Sequence, residues 1–314
     1  MFFPKPNKRF LNQTIYVTGH LYPDVDSVIS TIMACQVLKH FGFKVEPLIL
    51  KYPDQYTIRI LNKLNIETPP LRDKSTFVDE KVFLVDHGHI SNSIGKETNC
   101  EVVGIIDHHI SPEVDSLCQN IYIKEKSSCS LILYFMMKEI KDFKITKEHK
   151  IMTIYSSAVD TSAMLSDKIS MEEKKIINKF IEEEKISIDE LKRDILIETD
   201  LSLELPILAK NGFITFNEDG IKAGSIYIEV FEHVKKKEEK IKQLLDYLQE
   251  TTEYQLFVVV YWNFTLSTTT VYLCGDLNTS EIFQTFTLQG ISGRGNTVIP
   301  MVREKIRTYN KQKN

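Results

Sequence analysis

Three segments of this chain, Ile15-Tyr16-Val17, Val82-Phe83-Leu84-Val85 and Val102-Val103-Gly104-Ile105-Ile106, are apolar almost without interruption, and each soon gives way to polar residues. A strand with one wet face alternates apolar and polar residues, so runs like these belong to strands covered on both faces. Helical periodicity appears between the first two runs, from Val28 to His40 and from Tyr56 to Leu64. Alternating strands and helices build a parallel sheet, and the carboxyl ends of its strands meet at one edge, where ligands bind in open α/β folds. The expected fold class is α/β: an N-terminal doubly wound, mainly parallel sheet, then a smaller C-terminal α/β domain on a mixed sheet.

What stands at those strand ends is the second constraint. After Thr18 the chain reads Gly19-His20-Leu21-Tyr22-Pro23-Asp24-Val25-Asp26-Ser27, a strand-to-helix turn with one imidazole and two carboxylates. Asp and Ser before a helix are ordinary caps, and Pro is an ordinary turn former. The spacing also lets His20 and Asp24 point at one centre and Asp26 at a second one nearby. Imidazole with carboxylate oxygens suits manganese, magnesium, cobalt or zinc. Taken alone, this stretch supports both readings. The second run ends in Asp86-His87-Gly88-His89 and the third in Asp107-His108-His109, while Asp160 lies near the end of a helical segment from His149 to Leu165. Acids and imidazoles collected at three strand ends and one helix end favour a metal site over separate caps.

At 314 residues the chain exceeds what one core usually holds. Two domains are expected, 1–187 and 188–314, with Lys185-Ile186-Ser187 as the hinge. A net charge of -4 argues against a surface that neutralises many nucleic-acid phosphates. The residues from Met1 to Arg9 lack the apolar stretch of a signal peptide, and no segment is long enough to span a bilayer, so a cytoplasmic protein without membrane contact is expected. Five scattered cysteines without a Cys-x-x-Cys pair read as reduced thiols. A helix is expected from Leu131 to about Lys141, and helical, solvated character from Met171 to Thr199. Beyond Asp200, β patterns cover 213–216, 226–230, 255–262 and 268–273, with helices over 234–249, 278–286 and 300–309 and a Gly-rich loop over 290–296.

Gly19-His20-x-x-Pro23-Asp24-x-Asp26-Ser27, Val85-Asp86-His87, Ile106-Asp107-His108-His109 and Val159-Asp160-Thr161 resemble the four motifs of the DHH phosphoesterase superfamily. Within it, the chain is similar to the branch holding family II (manganese-dependent) inorganic pyrophosphatases and cytosolic exopolyphosphatases. The resemblance covers nearly the whole chain. It implies two divalent ions, manganese foremost with magnesium or cobalt as substitutes. His20 and Asp24 would hold one, Asp26, His108 and Asp160 the other, and Asp86 would bridge them. It also implies His109 as a donor to phosphate or the bridging group, Asp107 as the carboxylate that orients an imidazole, and Arg294 as a phosphate clamp. Paired ions of this kind acidify a water for attack on phosphorus.

The departures bear on substrate. Family II pyrophosphatases usually continue the second motif as Asp-His-Asn-Glu, where this chain has Gly88-His89; His89 is either an added polar group or an exposed turn residue. A lysine usual before Asp-Leu-Ser is missing from Leu196 to Ser202, and a C-terminal Ser-Arg-Lys-Lys is replaced by Ser292-Gly293-Arg294-Gly295. Fewer cations weaken capture of a small, dense anion; Lys210 and Lys222 are candidates to compensate. Ser127-Ser128-Cys129-Ser130 and Asp160-Thr161-Ser162-Ala163-Met164 lean toward the exopolyphosphatases, whereas His20 and the compact length lean toward the pyrophosphatases. The expected function is hydrolysis of phosphoanhydride bonds in inorganic polyphosphate or pyrophosphate, with polyphosphate ahead. The expected partner is a small inorganic phosphate chain, not nucleic acid; the oligomeric state is left open. A non-catalytic scaffold is opposed by the complete ligand set. An oligonucleotide phosphodiesterase is opposed by the acidic charge and the lack of a Gly-Gly-Gly-His type motif.

Overall fold

A computed structural model of the chain describes residues 3–109, 118–231, 235–251, 253–275 and 284–313. The chain divides into two compact units, Met1–Met164 with Ile169–Ile195, and Leu165–Lys168 with Leu196–Asn314.

The first unit contains β1 (Thr14–Thr18), α1 (Val25–His40), β2 (Lys44–Pro47), α2 (Gln55–Lys63), β3 (Lys81–Val85), β4 (Glu101–Asp107), β5 (Ile121–Ile123), α3 (Cys129–Glu139), α4 (Lys147–Asp160), α5 (Met171–Glu184) and α6 (Ile188–Ile195). Its strands are all parallel, in the order β2-β1-β3-β4-β5. Ile15, Val17, Val82, Phe83, Leu84, Val85, Ile105 and Ile106 are all buried, as a sheet covered on both faces requires. From β1 the chain moves to one side to make β2, then crosses to place β3 on the other. Such a reversal parts the loops leaving adjacent strands and opens a crevice at their carboxyl ends.

Three boundaries differ from expectation. α1 begins at Val25 rather than Val28, so Asp24 is its N-cap, accepting from Ser27 N at 2.9 Å, and Asp26 lies in its first turn. α4 stops at Asp160 instead of reaching Leu165, because Ser162, Ala163 and Met164 take φ of 49°, 54° and 63°, outside any right-handed helix. Lys185-Ile186-Ser187, read as a hinge, connects α5 to α6 inside the first unit, with Lys185 closing α5 in a left-handed conformation.

The second unit contains α7 (Leu205–Leu208), β6 (Ile214–Glu218), β7 (Ile221–Val230), α8 (Lys235–Thr251), β8 (Leu256–Asn263), β9 (Thr268–Cys274), β10 (Phe286–Gln289) and α9 (Ile299–Lys313). Its sheet is mixed, in the order β10-β9-β8-β7-β6; β7 and β8 are parallel and the other pairs antiparallel. α8 is the crossover a parallel pair needs. Ile226, Ile228, Val259 and Tyr261 cluster with Leu244 and Leu248 of α8, while Val258, Val260 and Val271 cluster with Val302 and Ile306 of α9. Of the helix expected over 278–286, residues 278–283 lie outside the described residues, and Phe286 begins a strand. The Gly-rich loop tightens into a π-helical turn over Arg294–Val298.

Candidate metal centre

Three adjacent strands deliver the acids and imidazoles. His20 follows β1, Asp86 follows β3, and Asp107, His108 and His109 lie at the end of β4. Gly19 is needed for the close approach to α1: a Cβ there would fall 1.7 Å from Ser27 Oγ. Asp86 turns the chain out of β3 at a φ of 63°, a left-handed conformation costing a non-glycine residue about 1–2 kcal/mol. Strain of that kind persists where the surroundings over-determine the position, commonly at a functional site.

The two oxygens of Asp86 face two different imidazoles. Oδ2 lies 3.3 Å from His20 Nε2, and Oδ1 lies 3.1 Å from His108 Nε2. On the first side, Asp24 Oδ2 stands 3.6 Å from His20 Nε2. On the second, Asp26 Oδ2 and Asp160 Oδ2 stand 3.8 and 3.7 Å from His108 Nε2. His20, Asp24 and Asp86 thus offer ligand atoms to one point, and Asp26, His108 and Asp160 to another, all within 4.8 Å of one another in each group. A third overlapping group joins Asp86, His108 and His109.

The electrostatics leave this cluster incomplete without a cation. Asp86 Oδ1 and Asp160 Oδ2 are buried and have no hydrogen bond among the described residues. Asp160 is also the last residue of α4, at the helix end that disfavours an anion. Burial, then the neighbouring Asp26, raises its carboxyl well above the usual range. Burial, then Asp86, pushes Asp26 up to about 6. Burial opposes charge on His20, but Asp24 and Asp86 outweigh it and raise the imidazole to about 11. His108 is likewise raised, burial being outweighed by Asp86, Asp160 and Asp26, while His108 and His20 together hold Asp86 well below its ordinary value despite its burial. Orphaned carboxylate oxygens facing imidazole nitrogens fit hard or borderline divalent ions.

His109 is 57% exposed, and its Nδ1 lies 2.9 Å from Asp107 Oδ1, which also accepts from His109 N at 3.0 Å. His89 is buried rather than exposed, because it caps a 3₁₀ turn, its Nδ1 accepting from Ser91 N at 3.1 Å. His87 is also buried; its Nδ1 donates to the Val85 carbonyl at 2.8 Å, and burial lowers it to about 4. Arg294 belongs to the second unit, where its guanidinium lies 5.1 Å from the Tyr227 ring centroid and donates to the Gly212 carbonyl. Lys210 and Lys222 are exposed on that unit. Of the serines that bond Asp26, Ser130, which does so through its backbone N, lies in the stretch Ser127-Ser128-Cys129-Ser130, while Ser30 and Ser156 carry no sequence signal that separates them from ordinary helix serines.

Residues 14–159 match the model of the DHH family, N-terminal domain. A protein of Enterococcus faecalis named a probable manganese-dependent inorganic pyrophosphatase is 30% identical over 126 residues, 40% of this chain and 41% of that protein, so the match spans about two-fifths of that relative. The manganese-dependent inorganic pyrophosphatase of Methanothrix thermoacetophila is 25% identical over 224 residues, 69% of this chain and 70% of that one. Among solved structures, a Methanococcus jannaschii protein assigned to the family II inorganic pyrophosphatases superposes with a TM-score of 0.67 at 21% identity, covering 93% of this chain and 99% of that one.

Proposed function

We infer from membership of the DHH superfamily, in the branch that holds the family II inorganic pyrophosphatases and the exopolyphosphatases, that this chain is a metal-dependent hydrolase of phosphoanhydride bonds. The observation that carries the reading is Asp86, whose two oxygens face His20 and His108 separately, as a carboxylate serving two ions must. His20 and Asp24 hold one ion, and Asp26, His108 and Asp160 the other. When bound, the ions supply Lewis acidity that activates water and neutralises phosphate charge; manganese is the first choice. Asp107 fixes His109 through Nδ1, leaving Nε2 of an exposed ring to face the phosphate chain, where it donates to a phosphate oxygen when the ring carries both protons. The C-terminal domain, with Arg294, binds the phosphate chain.

Inorganic polyphosphate is the preferred substrate in this reading. Its support is the stretch Ser292-Gly293-Arg294-Gly295, which lacks the two lysines of the pyrophosphatase Ser-Arg-Lys-Lys and so weakens capture of compact pyrophosphate. The names of the manganese-dependent relatives favour a second reading, inorganic pyrophosphatase. Phosphate release from pyrophosphate, tripolyphosphate and longer chains, each with manganese and with magnesium, separates the two. Faster turnover of the longer chains is expected. Activity on pyrophosphate alone would leave the second reading, and inactivity on all of them would remove both.

A further inference from the structure

We infer that Ser156, with the line of hydroxyls behind it, is a positioning residue that fixes the Asp26 carboxylate for a divalent ion; the inference rests on the metal-centre reading above. Asp26 is buried in the first turn of α1. Its Oδ1 accepts three hydrogen bonds, from Ser130 N at 3.0 Å, Ser30 Oγ at 3.1 Å and Ser156 Oγ. Its Oδ2 accepts from Cys129 N at 2.6 Å and then faces His108 Nε2 at 3.8 Å. Oδ1 is therefore saturated, while Oδ2 keeps a lone pair on the side of His108.

The proton positions along the line are forced. An ionised carboxylate only accepts, so Ser156 donates to Asp26, and a hydroxyl has one proton to give. Ser130 Oγ, 2.8 Å from Ser156 Oγ, must then donate to Ser156. Ser128 Oγ, 3.0 Å from Ser130 Oγ, must donate to Ser130, and Ser157 Oγ, 2.7 Å from Ser128 Oγ, to Ser128. Ser128 stays satisfied because it also caps α3, accepting from Leu131 N at 3.2 Å. Every O–H dipole from Ser157 to Ser156 points toward Asp26, and α3 adds two N–H groups from its positive end. The Asp26 carboxylate is thus held in one orientation, with one oxygen presented. Ser156 stands one helical turn before Asp160, so α4 both anchors Asp26 and contributes the next carboxylate.

The test is manganese binding to the full chain by isothermal titration calorimetry, with the melting temperature of each variant recorded alongside. Wild type is expected to take up two ions per chain. Ser156→Ala should weaken one of them about 10- to 100-fold and leave the other near its wild-type affinity. Ser156→Thr, which keeps the hydroxyl, should recover most of the loss. Ser157→Ala, at the far end of the line, should weaken the same ion by less. If Ser156→Ala folds and binds both ions as wild type does, the hydroxyl is merely structural, whatever the melting temperature, and the inference is overturned. If that variant does not fold, unchanged binding of both ions by Ser157→Ala overturns it. A wild-type chain that takes up no manganese removes the metal-centre reading, and this inference with it.

Discussion

His108 presents Nε2 to Asp86 Oδ1 at 3.1 Å, while its Nδ1 is committed to the Lys126 carbonyl at 2.9 Å. A carbonyl only accepts, so Nδ1 carries a proton, and Nε2 meets an anionic oxygen either as an N–H or with a cation between them. His20 faces the same choice between Asp24 and Asp86. The metal-free cluster therefore holds protons where the loaded one holds ions.

Loading should release those protons. Both imidazoles are raised above their ordinary value, His20 to about 11, so at pH 7.5 each is charged without metal and must become neutral to ligate. Calorimetry in two buffers of different ionisation enthalpy should show at least about two protons released per fully loaded chain, with the raised carboxyls of Asp160 and Asp26 adding to the imidazoles, and affinity that rises with pH. The sign for stability is the reverse. An imidazole raised on folding contributes stability that is complete below about 6.5 and is lost as pH climbs through its folded value. The metal-free chain should lose melting temperature between pH 7 and 10. A pH-independent affinity with no proton release would contradict this account.

Asp160→Asn removes a carboxylate whose Oδ2 has no hydrogen bond among the described residues, at the anion-disfavouring end of α4. The metal-free variant should melt higher than wild type, by the equivalent of about 1–3 kcal/mol, yet lose most of the stabilisation that manganese confers. Wild type at a hundredfold excess over the dissociation constant should gain about 2.7 kcal/mol. Asp86→Asn should lower turnover by more than the roughly 100-fold that loss of a supporting hydrogen bond costs. Thermal melts with and without manganese, together with phosphate release, check both variants.

Much of this site is legible in the sequence because buried parallel strands announce themselves. An unbroken run such as Val82 to Val85 has only one comfortable place, and the residue after it is necessarily at the sheet edge. That serines converge on Asp26 is invisible for the opposite reason. Ser30, Ser130 and Ser156 lie on three different helices, and only tertiary packing brings them to one carboxylate. The end of α4 was also hidden, since Ser162, Ala163 and Met164 carry no residue that signals positive φ. β10 has four residues and α7 has four, too few for periodicity to speak.

The turn after Asp160 stores strain that glycine would relieve. Three successive non-glycine residues in the left-handed region cost about 1–2 kcal/mol each. Ala163→Gly should stabilise the metal-free chain by about 1 kcal/mol, less whatever freedom glycine gains on unfolding. If the turn serves to hold Asp160 in place, the same variant binds manganese more weakly. A gain in melting temperature with unchanged affinity would assign the strain no part in ligation.

Gly293 and Gly295 are not demanded by space. A Cβ at Gly295 meets nothing within 4 Å, and one at Gly293, where φ is -61°, meets Lys168 Cε only at 3.4 Å. The absence of longer cationic side chains here is a choice of sequence rather than of packing. The Lys168 side chain lies against that position, on a segment tied to the loop by Asp167, whose carboxylate accepts from Gly293 N at 3.1 Å and Thr297 Oγ1 at 2.8 Å. Lys168 is therefore expected to share phosphate binding with Arg294, alongside the candidates Lys210 and Lys222. Lys168→Ala should raise KM for tripolyphosphate about tenfold, roughly 1.4 kcal/mol, with kcat changed far less. Gly295→Lys should shift preference toward pyrophosphate. Steady-state kinetics across chain lengths decides the matter, and an unchanged KM for Lys168→Ala would leave Arg294 to act without it.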